Sequence, residues 1–153
     1  MLACGLFNGS VVIYDVSKGE VQKVFKASEE RICCVAWHPQ LESIIAAGSF
    51  DNTVYVHDVK YDGTKELKFH SDRVRSLMWN TEIPWLLATG GDDSKQVLWD
   101  IRNKQVIFCA QQPTLAMTSL TSHPDRPFSY ISSHFDASMI HWAIDCLPDV
   151  AIT

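Results

Sequence analysis

A turn acid or amide recurs along this chain at positions 8, 51, 93 and 136, and a ring side chain follows six residues later at 14, 57, 99 and 142. The steps are 43, 42 and 43 residues. Two columns held in register four times constrain the fold more than any other feature, because they require one supersecondary unit copied at that period. Each copy has the same internal order. An apolar run opens it, at 32–37, 74–79 and, less clearly, 115–120. A polar or proline turn follows, then a second apolar run at 44–47, 85–88 and 128–132. The Asn/Asp turn comes next, and an alternating run ends on the ring. A short closing run is visible in two copies, at 21–25 and 106–109. Runs this short, rich in Val, Ile and aromatics and divided by Gly, Asp, Asn and Pro, read as strands. The chain is expected to be all-β, with four short strands per unit.

Composition narrows the class of partner. The 153 residues are 46% hydrophobic and 20% charged, with a net charge of −5. That is ordinary for one folded domain. The acidic balance speaks against a nucleic acid or an anionic membrane as partner. The apolar runs are too short to span a bilayer, and residues 1–7 carry no basic side chain and no signal-peptide pattern. Cys4, Cys33, Cys34, Cys109 and Cys146 are odd in number and contain no Cys-x-x-Cys pair. They read as reduced, mostly buried thiols of a cytoplasmic chain.

A four-stranded unit near 43 residues has the period of a β-propeller blade. Trp99-Asp100, echoed by Tyr14-Asp15 and His57-Asp58, resembles the signature dipeptide of the WD-repeat family. His70 stands where that family places the His of a Gly-His pair, with Phe69 in place of the Gly. The resemblance implies a polar network of His70, Thr89, Asp93 and Trp99 in the third copy, in which each buried polar group finds a partner. The other copies depart from it. Ser28 and Pro113 fill the His position, Cys4, Ala47 and Ser132 fill the hydroxyl position, and Tyr14 and His57 replace the indole. Their repeat-turn residues Asn8, Asp51 and Asp136 are expected to bond to backbone alone. Residues 75–87 and 123–128 carry a narrower likeness to one intracellular member of the family.

The expected architecture is a partial WD40-type propeller of about three and a half blades, against four to eight in a closed ring. Its parts are a partial blade at 1–26, blades at 27–69 and 70–112, and a nearly complete blade at 113–153, with 149–153 as its fourth strand. Such an arc exposes strand edges and end faces. The inference is a fragment, or a chain whose ring is completed by another segment or polypeptide.

Catalytic residues, metal ligands and cofactor groups are not expected. His38, His57, His70 and His123 sit at positions set by the repeat, and no Ser or Cys stands with a base outside it. Asp92-Asp93 lacks a third metal ligand, and Gly90-Gly91 lacks the Lys-Ser/Thr of a phosphate loop. Binding surfaces read better. Phe7, Phe50 and Phe135 each precede a turn residue, beside inter-blade loops 28–31, 71–73 and 111–114 that carry Arg31 and Arg73. Turned outward, the three rings form an aromatic arc with arginines, the composition of interaction hot spots. Turned inward, each packs on its own loop. These residues predict a non-enzymatic protein-interaction scaffold. A second reading rests on Trp99-Asp100-Ile101-Arg102. That box resembles the element by which WD-repeat substrate receptors attach to a cullin-RING ubiquitin ligase adaptor, with Arg102 reaching an acidic surface.

Overall fold

The computed structural model describes residues 1–111, 116–123 and 125–143. Within them run fourteen strands in four sheets. β1 (Leu2–Gly5), β2 (Ser10–Asp15) and β3 (Glu20–Lys26) form the first sheet. β4 (Ile32–Trp37), β5 (Ile44–Ser49), β6 (Thr53–Asp58) and β7 (Gly63–Lys68) form the second. β8 (Val74–Trp79), β9 (Leu86–Gly91), β10 (Lys95–Asp100) and β11 (Gln105–Gln111) form the third. β12 (Met117–His123), β13 (Arg126–His134) and β14 (Met139–Ala143) form the fourth. Every neighbouring pair is antiparallel and consecutive in sequence.

The repeated columns are the turns that make these sheets. Asn8, Asp51, Asp93 and Asp136 each accept the backbone N–H two residues on, at 3.1, 2.9, 3.1 and 2.9 Å. The residue between is left-handed in all four: Gly9 (φ 82°), Asn52 (69°), Ser94 (60°) and Ala137 (65°). A short polar side chain that caps its own turn is why Asn and Asp hold this position. Asp15, Asp58 and Asp100 repeat the device at the next hairpin, each accepting the N–H two residues on at 2.9 Å.

Three apolar layers lie between the four sheets. Val11, Ile32, Ile45, Ala47 and Tyr55 fill the first. Ala46, Val54, Val56, Val74, Leu87, Val97 and Trp99 belong to the second, and Leu86, Ala88, Leu98, Met117 and Tyr130 to the third. Alternate residues of β5, β6, β9 and β10 therefore serve opposite layers, and these strands are buried on both faces. That explains why their sequences read as nearly continuous apolar runs. Successive sheets meet at their inner strands, β4 against β8 and β8 against β12. The face-to-face stacking of hairpin-linked sheets is that of a β-propeller arc.

The sheets are keyed together by glycine. A Cβ built on Gly5 would lie 2.4 Å from Ile32, one on Gly48 would lie 2.8 Å from Val74, and one on Gly90 would lie 1.9 Å from Met117. In each case the first residue of the next sheet's inner strand plugs into the hole left by a missing side chain. A β-bulge follows each plug, at Ile32/Cys34, Val74/Ser76 and Met117/Ser119. The extra residue of such a bulge is freed from the ladder and re-aimed; in the third sheet it is Arg75.

One strand went unannounced, and one expectation needs correction. The second sheet has an outer strand, β7, that no apolar run announced. Only Leu67 of its six residues is buried, so its sequence Gly-Thr-Lys-Glu-Leu-Lys reads as a surface loop. The cysteines are not mostly buried. Cys4 and Cys109 are exposed and Cys33 and Cys34 half-buried, all four as free thiols, because they lie on edge strands, where only Cys34 turns toward the second apolar layer. Burial of its sulfur still pushes the Cys34 thiol up to about 12. Cys146, Pro113 and the strand expected at 149–153 lie outside the described residues.

Candidate partner-binding rim

The third sheet supplies the reference geometry for the turn carboxylates. His70 Nδ1 lies 3.1 Å from both oxygens of Asp93, and its Nε2 lies 2.8 Å from Thr89 Oγ1. Trp99 Nε1 donates to the same hydroxyl at 2.8 Å. One direction satisfies every atom: the indole donates to Thr89, Thr89 donates to Nε2, and Nδ1–H donates to Asp93. Burial would push the Asp93 carboxyl up. The His70 bond and the backbone N–H groups of Ser71 and Lys95 outweigh it and hold Asp93 below its usual range. The relay runs from the indole between the sheets to the turn at the rim, so it fixes the turn that carries the rim residues.

The other sheets hold their turns by different means, and the expectation of backbone partners alone fails for Asp51. Its carboxylate accepts Ser28 Oγ at 2.5 Å and the Tyr55 hydroxyl at 2.6 Å, and Ser49 Oγ donates to Ser28 at 2.9 Å. Here burial again opposes ionisation, but the Ser28 and Tyr55 hydroxyls hold the carboxyl low. Burial, with Asp51 as neighbour, pushes the Tyr55 phenol up to about 12. Ser49 and Tyr55 lie outside the columns of the third copy, which is why the sequence did not reveal them. His57, at the indole position, bonds Thr64 Oγ1 at 2.8 Å and stacks on Phe25 with ring centres 3.8 Å apart. In the fourth sheet Trp142 Nε1 donates to Ser132 Oγ at 2.9 Å, and Ser132 meets His134 Nε2 at 3.0 Å. The imidazole there comes from the sheet's own strand. Asp136 and Asn8 accept the N–H groups of Ser138 and Ser10.

On the rim above these turns, rings and guanidiniums alternate from sheet to sheet. Phe7 is 81% exposed and Phe135 65%, and Phe50 is partly covered. The Arg31 guanidinium lies 5.7 Å from the Phe7 ring centre and 5.3 Å from that of Phe50. Arg73 lies 4.6 Å and Arg75 5.6 Å from the Phe50 ring, and Arg75 also lies 5.8 Å from Phe135. All are within the range of a cation–π contact. Phe7, Arg31, Phe50, Arg73, Arg75 and Phe135 thus form one ladder across four sheets. Arg75 is the member that the sequence reading missed. Its signal was its place one residue after Val74, the bulge position that Cys33 and Thr118 occupy in neighbouring copies. Where the other copies place Phe, the third places Asp92, which clamps Arg75 with two bonds of 2.7 and 2.8 Å.

Arg102 lies apart from this ladder. Its guanidinium grips Asp100 through Nε at 3.0 Å and Nη2 at 2.7 Å, and lies 4.1 Å from the Trp85 ring centre. Its side chain is 60% exposed. The arginine expected to reach a partner is already engaged with the aspartate of its own box.

Turn capping, middle strands buried on both faces and sheet-to-sheet plugs define a β-propeller arc. Comparison with known proteins gives its type. The family described as "WD domain, G-beta repeat" matches residues 19–58. Meiotic fizzy-related protein 1 of Schizosaccharomyces pombe is 25% identical over 127 residues, covering 82% of this chain and 29% of the relative. WD repeat-containing protein slp1 of the same organism is 31% identical over 104 residues, covering 67% and 20%. APC/C activator protein CDH1 of Saccharomyces cerevisiae is 26% identical over 127 residues, covering 82% and 22%. Among solved structures, a chain of the mitotic checkpoint complex superposes with a TM-score of 0.84 at 24% identity, over 94% of this chain and 44% of that one. The protein is a WD40-repeat β-propeller arc, and it spans less than a third of the length of these curated relatives.

Proposed function

We propose that the chain is a non-enzymatic protein-interaction scaffold, part of a larger intracellular WD-repeat protein that presents rim loops on a rigid propeller. The observation that carries this reading is the ladder of exposed Phe7 and Phe135 rings linked through Arg31, Phe50, Arg73 and Arg75. Rigid turns hold that surface, and aromatic rings with arginine are the composition of binding hot spots. Two relatives support it by name, an APC/C activator and a chain of a mitotic checkpoint complex. Four free thiols among the described residues support a reducing compartment. The likeness of 75–87 and 123–128 to WD repeat-containing protein 17 belongs to the same reading. So does completion of the ring by further blades, from the same polypeptide or a second chain.

Attachment to a cullin-RING ubiquitin ligase adaptor is the alternative, favoured by the exposure of Arg102, which would have to exchange Asp100 for an acidic partner. One experiment separates the two: crosslinked affinity capture from cells with the wild type, with Phe7→Ser/Phe135→Ser, and with Arg102→Glu. Partners lost only in the phenylalanine variant, at an unchanged melting temperature, support the rim. An adaptor lost only in Arg102→Glu supports the ligase role. Capture unchanged in the phenylalanine variant, or a melting temperature lowered with it, ends the rim reading.

A further inference from the structure

We infer that the rim ladder recognises an extended acidic peptide, with carboxylates on Arg31 and Arg73 and apolar side chains on Phe7 and Phe135. The inference rests on the rim reading above and adds the chemistry of the partner. Arg31 touches two rings, yet among the described residues it joins no ion pair. Arg73 reaches Asp92 only at 3.9 Å. Two guanidiniums are therefore fixed in place by aromatic contact with donors unspent. Arg75 shows what they are shaped to hold, because Asp92 already binds it with two short, parallel bonds. Asp92 occupies the column that holds Phe7, Phe50 and Phe135 in the other copies, so an internal carboxylate sits within the ladder itself.

Alternation of rings and cations selects among ligands. Successive side chains of an extended strand point to opposite sides. A segment laid across the rim therefore meets the ladder with acidic and apolar residues at different points along its length. A polyphosphate fits worse. The chain carries a net charge of −5, and the acids Glu29, Glu30 and Asp72 flank the ladder on its loops, exposed to solvent. Of these, Glu29 is paired with Lys26 at 3.1 Å, while the Asp72 carboxylate accepts the Arg73 backbone N–H at 2.8 Å. Screening limits every charge to about 10 Å at ordinary salt, so a long polyanion, laid over more of the surface, meets more of these acids than a few carboxylates seated on the two guanidiniums.

The test is selection of the full chain against a random-peptide phage library. Synthetic versions of the winners, and a single-stranded oligouridylate, are then measured by fluorescence polarisation. Winners are expected to pair Asp or Glu with Leu, Ile or Phe and to bind more weakly as salt rises. Arg31→Gln should weaken them roughly tenfold, the loss of one charge-assisted pair. That change leaves intact the Arg31 carbonyl, which accepts the Phe50 backbone N–H at 2.9 Å. Asp92→Asn should tighten them several-fold by releasing Arg75, a gain that a merely structural role would not produce. Basic or uncharged winners that are lost in Phe7→Ser/Phe135→Ser overturn the acidic assignment and leave the rim reading standing. Acidic winners indifferent to all three variants place binding elsewhere and end both. Tighter binding of the oligouridylate than of any winner, or no enrichment at all, overturns this inference.

Discussion

Thr89 has one hydroxyl and two clients. Trp99 donates to it, and it donates to His70, both at 2.8 Å in a fully buried site. Replacing it with the isosteric Val leaves two buried nitrogens without partners, each worth about 1–3 kcal/mol. Thr89→Val should cost about 3 kcal/mol in urea denaturation, while Thr89→Ser should recover most of it. Equal losses in the two variants would show that shape, not the hydroxyl, matters there. This set of four residues was legible from sequence because all four stand in family columns. The Asp51 set was not. Its partners Ser28, Ser49 and Tyr55 come from an inter-sheet loop and two strands, and only contact in space joins them. Arg75 escaped for a related reason: a bulge is a register event that hydrophobic periodicity does not record.

Among the elements, strands buried on both faces were the easiest to find and outer strands the hardest. β7 hides a single leucine, so its alternation carries almost no apolar signal. The glycine plugs were present in the sequence as a further column, at 5, 48 and 90, three residues before the turn residues of the first three copies. Their meaning needed the distance to the next sheet. Gly48 shows the consequence: a Cβ there would lie 2.6 Å from Cys34 Sγ and 2.8 Å from Val74 Cγ1. Both neighbours are held in a packed layer, so Gly48→Ala should destabilise by about 1–3 kcal/mol, the usual cost of overpacking. Gly63, with open space around its missing side chain, is the control. Thermal melts of both variants check this, and a Gly48→Ala melt equal to that of Gly63→Ala would refute the plug.

At the scale of the whole molecule, stability is expected to be graded across each sheet. β5, β6, β9 and β10 are buried almost throughout, whereas β1, β3 and β7 are largely exposed. Hydrogen exchange should be slowest over 44–58 and 86–100 and fastest over 2–5, since amides near bulk water open most readily. Uniform protection would mean that the arc opens as one unit. The turn carboxylates lead to a second conclusion. The four copies share a plan, but the second and third hold their turn carboxylates with different side-chain partners. Giving the second the third's arrangement would take Ser28→His, Ala47→Thr and His57→Trp together, and any one of these alone leaves a donor or acceptor stranded. The repeats are thus not interchangeable beads. Each is fitted to the seat it occupies, and exchanging two of them would cost more than either exchange, taken singly, would suggest.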